Sequence, residues 1–496
     1  MDSKPEGREL AVASMATALS SVAFYFGTGL LPPWWLIWVA ALPILWTAPR
    51  INPWLAVLTA FLARGIGALN SWNYHQHLQM PLWVSLLLVV EPALVFTLAV
   101  LVYRTFTRRR QPWLAILAYP SFIVACEYLF SLTAGTFGDT AYTQLNNVTV
   151  LQVGALAGIW GVGFVTLLFA PVVATLATRP AAYRGVRMHV AIGSALFYIA
   201  VFGYGEWRTT STPTAPESVR VGLISSATPE NMFPSSDPDA MRLMRAYAQQ
   251  VTLLAAKGAK IVVLPEMTAF VRDSISGDVD ALFQKTALAT HTQILLGILH
   301  LEGPANAPPR VVYNESRLYS GGGAPVAIYH KHHLVPDLEA RSTPGNGITV
   351  RSESLGKIGL AICRDMDYPD PANRYGQLGV GLLLVPAWDQ IEDRWWHGHM
   401  ALMRGVENGY SIVRTAKSGF LTVSDDRGRV LAEATNLPTQ TFSTLLATVP
   451  VRHDTTLYQS WGDWFAWLCI AVTVGLLVRT TGRWRARQDP GLRPPA

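Results

Sequence analysis

The sequence predicts a two-part protein: a bundle of about eight membrane-spanning helices and, inserted between the seventh and the eighth, an exported α/β domain. Three observations carry this reading. Half of the 496 residues are hydrophobic and only 15% are charged, where soluble domains carry about a quarter. The apolar excess lies before residue 206 and after residue 462. Between those points, short apolar runs stop abruptly at polar residues, as buried strands do at their exits.

The helices come first in the chain. Apolar runs approaching the roughly 20 residues of a spanning helix fall at about 10–30, 34–48, 53–70, 82–103, 113–133, 152–177, 188–205 and 463–479. The second is short, so a re-entrant segment competes with a span there. The first run has the look of a signal peptide, but six further hydrophobic segments follow it, so it reads as a retained helix. Basic residues then orient the bundle. Lys4 and Arg8 precede the first span, and Arg50 follows the second. Arg104, Arg108, Arg109 and Arg110 follow the fourth, and Arg179, Arg184 and Arg187 the sixth. Arg479, Arg483, Arg485 and Arg487 follow the eighth. With both termini inside, all these clusters share one side, which is the positive-inside pattern. The net charge of +6 is therefore an orientation signal and argues against nucleic-acid binding.

Inside the spans, Arg64, Glu91 and Glu127 are unfavourable in hydrocarbon and are expected to face the bundle or pair with one another. Trp34, Trp35 and Trp38, at a span boundary, read as an aromatic belt. The predicted organisation is residues 1–208 for the seven N-terminal helices and 209–218 for a polar, proline-bearing linker. The α/β domain follows at 219–452, then the last helix at 463–479 and a basic cytoplasmic tail at 480–496.

Within the α/β domain, three strand ends deliver reactive groups. Lys260-Ile-Val-Val-Leu-Pro-Glu266 ends on a carboxylate. Val326-Ala-Ile-Tyr-His-Lys331 runs into an ammonium, and Gly356-Lys-Ile-Gly-Leu-Ala-Ile-Cys363 ends on a thiol. Alone, Cys363 reads equally as a small core residue. A cysteine nucleophile, however, needs a base for its proton and a cation or donor for the oxyanion, and Glu266 and Lys331 supply both. Of the three cysteines, Cys126 and Cys469 fall in predicted spans, which leaves Cys363 as the single thiol of the exported domain. Other polar clusters read as structural. His332 and His333 are adjacent and would point to opposite faces of an extended segment, and His397 and His399 lack a third ligand nearby, so no metal and no cofactor is expected. Gly321-Gly322-Gly323 and Asp425-Asp426-Arg427-Gly428 read as turns.

The ordered Glu266, Lys331 and Cys363, on these three strands, resemble the nitrilase (carbon–nitrogen hydrolase) superfamily. The resemblance runs from about residue 219 to residue 451 and takes in Tyr313-Asn314, Pro344-Gly345-Asn346, Leu382-Leu-Leu-Val-Pro386 with Trp388, and Met403-Arg404 with Glu407. Set among membrane spans, the domain is similar to that of the apolipoprotein N-acyltransferase family. The resemblance implies an α-β-β-α sandwich; with the orientation read from the basic clusters it is expected on the periplasmic face of the bacterial inner membrane, and a monomer is expected. The resemblance also implies the reaction: an acyl chain passes from a membrane phospholipid to Cys363 as a thioester, then to the N-terminal amine of a lipid-modified lipoprotein. Glu266 is then the base, Lys331 and the backbone N–H of Arg364 hold the oxyanion, and Glu339 and Trp388 help to form the site. Two departures stand out. The acyltransferases usually place Tyr-Glu after the nucleophile, where this chain has Arg364-Asp365. Their Gln-Gly-Asn after the first domain strand and the tryptophan beyond it are replaced by Ile224-Ser-Ser-Ala-Thr-Pro229 and, nearest, Phe233. The run Asp365-Met-Asp-Tyr-Pro-Asp370 is closer to soluble amidases, so a membrane-tethered hydrolase of small amides or nitriles is the rival enzyme class. A catalytically dead lipid-binding module is a third, opposed by the intact set of three.

Overall fold

The computed structural model describes the chain except residues 1–3, 178–183, 212–216, 233, 235, 304–307, 323–324, 354–355, 437 and 489–496. Phe233, Arg179, Gly323 and the middle of the expected linker therefore lie outside the described residues. The chain divides into two compact units, Met1–Trp207 with Asp463–Ala496, and Arg208–Gly462.

The first unit is helical. Among the described residues, six helices are long and apolar enough to cross a membrane: Gly7–Gly27, Pro53–His77, Leu82–Arg108, Pro112–Ala134, Gly154–Leu176 and Val186–Thr210. Two shorter apolar helices, Leu36–Arg50 and Trp464–Thr480, stand where the second and eighth spans were expected. Among the described residues, the expected count of about eight thus resolves into six full-length helices and two short ones. Proline explains the shorter first one. Pro43 opens the helix Leu42–Thr47 directly after Leu36–Ala40 ends, and Pro49 lies in the 3₁₀ turn Ala48–Arg50; a proline lacks the N–H a continuous helix needs.

One expectation for this unit needs correction and another is narrowed. Trp38 is not part of an exposed belt. It is 7% exposed, donates its indole N–H to Gln144 Oε1 at 2.9 Å, and stacks on Phe202. A buried tryptophan needs such an acceptor. Of the two alternatives for Arg64, Glu91 and Glu127, direct ion pairing with one another is not seen among the described residues, and Arg64 and Glu127 instead make contacts with other groups of the helical unit. Arg64 lies over the Phe24 ring, 5.4 Å from its centroid, and Glu127 accepts the backbone N–H of Thr140 at 3.0 Å.

The second unit contains thirteen strands among the described residues. In chain order they are β1 (Ser218–Ser225), β2 (Ile261–Val263), β3 (Phe270–Arg272), β4 (Gln293–Glu302), β5 (Val311–Tyr319), β6 (Pro325–His330) and β7 (Val350–Glu353). There follow β8 (Gly356–Leu360), β9 (Leu382–Trp388), β10 (Ser411–Lys417), β11 (Phe420–Ser424), β12 (Val430–Thr435) and β13 (Ser443–Pro450). One sheet runs β13-β1-β2-β4-β5-β6, with β3 also paired to β4; the other runs β12-β11-β10-β9-β8-β7. The centres, β1-β2-β4 and β8-β9-β10, are parallel.

Side-chain alternation builds four layers. Val221, Leu223, Ile261, Val263 and Leu295 of the first sheet meet Ile358, Leu360, Leu382, Leu384 and Val413 of the second in one buried core. The opposite face of the first sheet, with Val262, Ile294 and Leu296, packs on helices Asp237–Ala256 and Asp273–Thr290. Leu383, Val385 and Ile412 pack outward with Tyr375 and Ala401, which lie on helices Pro369–Gln377 and Arg394–Asn408. The order is α-β-β-α. Burial on both faces is why the central strands are unbroken apolar runs rather than alternating ones.

Candidate active site

Parallel neighbours place equivalent strand ends together, and the reactive groups follow from that. Glu266 lies three residues beyond β2, Lys331 directly follows β6, and Cys363 lies three residues beyond β8. Trp388 is the last residue of β9. Glu266 belongs to the first sheet and Cys363 to the second. They face each other because both sheets direct these ends to one rim of the sandwich, where the backbone N–H of Glu266 donates to Ala387 O at 3.2 Å.

Glu266, Lys331 and Glu339 form one buried cluster, at 2%, 1% and 4% exposure. Lys331 Nζ donates to Glu266 Oε1 and to Glu339 Oε2, both at 2.7 Å. Asn314 Nδ2 bridges the same two carboxylates, at 2.6 Å to each, and the backbone N–H of Val335 donates to Glu339 at 2.7 Å. Two carboxylates thus share one ammonium, which leaves the cluster a net negative charge in a site that water barely reaches. Burial raises the pKa of Glu266, and the negative charge of Glu339 adds to this, while Lys331 opposes both. For Lys331, burial works downward but is outweighed by Glu266, Cys363 and Glu339, so its pKa lies above the usual lysine value. The result is a fixed ammonium beside a carboxylate whose proton affinity is enhanced, which is the chemistry a general base requires.

Cys363 is half-buried, and its Sγ lies 3.5 Å from Trp388 O. Its φ of +44° is in the left-handed region, which costs a non-glycine residue about 1–3 kcal/mol. The cost is met locally by Asp365. Its fully buried carboxylate accepts from the N–H groups of Ile362 at 3.0 Å, His332 at 3.1 Å and His333 at 2.9 Å, and from Tyr329 OH at 2.8 Å. Burial pushes the Asp365 pKa up, but hydrogen bonds from His333, Ile362 and Tyr329 more than offset it, and it ends below the usual value. Asp365 therefore ties the turn that carries Cys363 to the segment that follows Lys331. The thiol itself titrates well above the ordinary range, through burial first and the Glu266 carboxylate second, with Lys331 and Arg414 pulling the other way.

The structure thus gathers Glu266, Lys331 and Glu339 by direct contact and sets Cys363 and Trp388 side by side. Arg364 turns its guanidinium to Tyr368 OH at 3.1 Å, and the Tyr368 ring stacks on His333 at 3.8 Å. His332 instead stacks on Tyr329, His397 pairs with Asp393 at 3.1 Å and His399 with Glu433 at 3.2 Å. Three residues that the sequence reading gave no site role stand out. Asn314 joins the two carboxylates, Asp365 joins two loops, and Arg414 makes a buried two-pronged contact with Asp389 at 2.8 and 2.6 Å. Asn314 carried a signal as part of the Tyr313-Asn314 motif and Asp365 as a departure from the family pattern; Arg414 carried none.

Gly345 packs against the backbone that carries Lys331. Its N–H donates to Lys331 O at 2.8 Å, and a Cβ there would stand 2.2 Å from His330 O. Gly345→Ala is therefore expected to displace Lys331 and to lower the unfolding midpoint by several degrees, an effect of about 1–3 kcal/mol for such overpacking. Thermal unfolding in detergent checks this, and an unchanged midpoint would remove the packing argument.

The carbon-nitrogen hydrolase family model matches residues 227–453, and the model for the apolipoprotein N-acyltransferase N-terminal domain matches residues 16–172. An apolipoprotein N-acyltransferase from Geobacter metallireducens is 23% identical over 480 residues, covering 88% of this chain and 89% of its own length. One from Nitrosomonas europaea is 24% identical over 516 residues, covering 95% and 98%. The two models between them span most of the chain, and the chain is similar to apolipoprotein N-acyltransferases over nearly its whole length. A deaminated glutathione amidase from Synechocystis is 27% identical over 240 residues but covers only 41% of this chain. The amidase-like reading of Asp365–Asp370 is thus confined to the shared domain and does not account for the N-terminal match, so the hydrolase alternative is not favoured. Among solved structures, a carbon-nitrogen hydrolase from Helicobacter pylori aligns at 18% identity over 47% of this chain and 90% of its own, with a TM-score of 0.40. Arg364-Asp365, singled out in the sequence as a departure from the acyltransferase pattern, thus has a local structural role: Asp365 accepts the hydrogen bonds that hold the Cys363 turn.

Proposed function

We propose that the protein moves a fatty acyl chain from a membrane phospholipid, through a thioester on Cys363, to the N-terminal amine of a lipid-modified lipoprotein. The observation that carries this is the pairing of a buried carboxylate–ammonium–thiol set with an N-terminal helical domain shared by acyltransferase relatives across the length of the chain. Glu266 takes the proton of Cys363 as the sulfur attacks the ester carbonyl. Lys331 and the backbone N–H of Arg364 hold the oxyanion. The proton passes from Glu266 to the departing lysophospholipid hydroxyl, leaving the thioester. The neutral amine of the acceptor then attacks, Glu266 takes its proton, and the thiol regains one as it leaves. Glu339 and Asn314 hold Lys331 in place, and Trp388 borders the thiol. Dividing one exchange into two lets two bulky lipids use one site in turn. The partners are then lipids and lipoproteins, with no nucleic acid, and the working unit is a monomer.

The test is intact mass after incubation with phospholipid. An acyl adduct that disappears on addition of an amine acceptor supports transfer. No adduct, with turnover of a small amide, would favour hydrolysis.

The domain's place outside the cytoplasmic membrane belongs to the same proposal. Its support is the side on which the basic clusters gather. Arg104 donates to Ala48 O and Ile51 O at 2.9 Å, which brings it beside the Arg50 turn. Arg109 donates to Arg479 O at 3.1 Å and Thr480 O at 3.2 Å. Three basic clusters far apart in sequence thus share one end of the helical unit, as the positive-inside rule requires. Reporter fusions are expected to place residues 219–452 outside and both termini inside. A cytoplasmic domain would sink this placement and the lipoprotein acceptor with it.

A further inference from the structure

Lys417, the last residue of β10, is fully buried, and both of its hydrogen bonds go to backbone carbonyls. Nζ donates to Met267 O at 2.6 Å and to Met232 O at 3.2 Å, and it lies 4.7 Å from the centre of the Trp388 ring. A buried ammonium with no carboxylate among its hydrogen-bond acceptors is uncommon, because burial alone disfavours the charge. Its neighbours give a reason for it. Met267 directly follows Glu266 and holds a φ of +45°, a strained turn in which the Glu266 side chain is rooted. Trp388 pairs with Lys417 across the β9–β10 register, and its carbonyl is the one that Cys363 Sγ approaches.

We propose that Lys417 is a positioning residue. It pins the turn that carries Glu266, on the first sheet, to the strand end that carries Trp388, on the second, and so sets the base against the thiol. The two groups belong to different sheets, so their separation depends on contacts that cross the sandwich at this rim. Lys417 makes two such contacts with one nitrogen, to Met267 O and Met232 O, while it packs on Trp388 of its own sheet. Burial pulls its pKa down to about 7, with Glu266 the facing charge that opposes the shift. The nitrogen keeps N–H donors in either form, so the clamp survives the titration.

The inference rests on the proposed function only in naming Glu266 as the base, and its test does not need an acyl donor. Full-length Lys417→Met and Lys417→Gln are compared with the wild-type protein for iodoacetamide alkylation of Cys363 across pH, read by peptide mass at that cysteine. Single-turnover acylation by a phospholipid is measured beside it. The Met variant is expected to alkylate about tenfold more slowly, with its profile moved to higher pH, and to acylate about 10²-fold more slowly at unchanged donor KM. Misplacing a catalytic group by an ångström commonly has that effect. The Gln variant, which still donates N–H to carbonyls, is expected to recover part of both rates. A folded Met variant with wild-type alkylation overturns the proposal. So does failure of both variants to fold, because Lys417 would then be a stability element. If the wild-type protein takes no acyl group from any phospholipid, the acyl-transfer reading fails while the alkylation comparison still decides the role of Lys417.

Discussion

Cys363→Ala is expected to leave the protein folded and inserted in its membrane, yet unable to form an acyl adduct at any donor concentration. The side chain removed is one sulfur, at a half-buried position whose only polar contact among the described residues is a weak one to Trp388 O at 3.5 Å. The turn around it is held by Asp365 through backbone N–H groups and Tyr329, none of which involve the sulfur. Stability should therefore move little. Activity should vanish, because Cys126 and Cys469 lie on helices of the other unit and cannot substitute. The experiment pairs thermal unfolding with intact-mass detection of the adduct. An alanine variant that still gains an acyl group would remove Cys363 from the chemistry, and with it the proposed function.

The α/β architecture was legible because its parallel strands are buried on both faces, which writes them as unbroken apolar runs such as Leu382–Pro386. Glu266, Lys331 and Cys363 were legible for a related reason: each stands just past such a run, where a polar residue would otherwise be unusual. What the sequence concealed is mostly pairing between distant segments. Asn314 sits within a strand and carries no local mark of bridging Glu266 to Glu339, since those contacts span 48 and 25 residues. Lys417 reads locally as a solvated strand end, and only the approach of the Met232 and Met267 carbonyls, 185 and 150 residues away, makes it a buried clamp. Asp365 was visible only as a departure from the family pattern. Its meaning lies in the N–H groups of His332 and His333, which arrive from another strand. In the helical unit, hydropathy located every apolar segment. It could not foresee that Pro43 and Pro49 would break the second one, nor that Trp38 would turn inward to Gln144.

Glu266→Gln and Lys331→Met should fail in different ways, because the two residues act on different atoms. Glutamine keeps the shape of Glu266 and can still meet Lys331, but it cannot accept the thiol proton. That proton is held tightly, since burial and the nearby carboxylate place the Cys363 pKa well above its usual value. Without a base, acylation should fall by about 10²–10⁴-fold. Removing the carboxylate also removes the second cause of that raised pKa, so direct alkylation of the thiol should fall by less than acylation does. Lys331→Met deletes the cation that meets the developing oxyanion, a loss commonly worth about 10²–10³-fold. It also leaves Glu266 and Glu339 facing each other across Asn314 with no ammonium between them. One of the two should then take up a proton, so this variant should lose stability as pH rises and both carboxylates are forced to ionise. Both half-reactions pass through a tetrahedral oxyanion, so Lys331→Met should slow acylation and acyl release alike. Lys331→Arg should not restore them, because a planar fork cannot replace a compact ammonium held at 2.7 Å by two carboxylates. Single-turnover kinetics with a phospholipid donor, followed by addition of an amine acceptor, separates the two steps. Acylation of the Met variant at the wild-type rate would take the oxyanion role away from Lys331 and leave it a purely structural partner of Glu266 and Glu339.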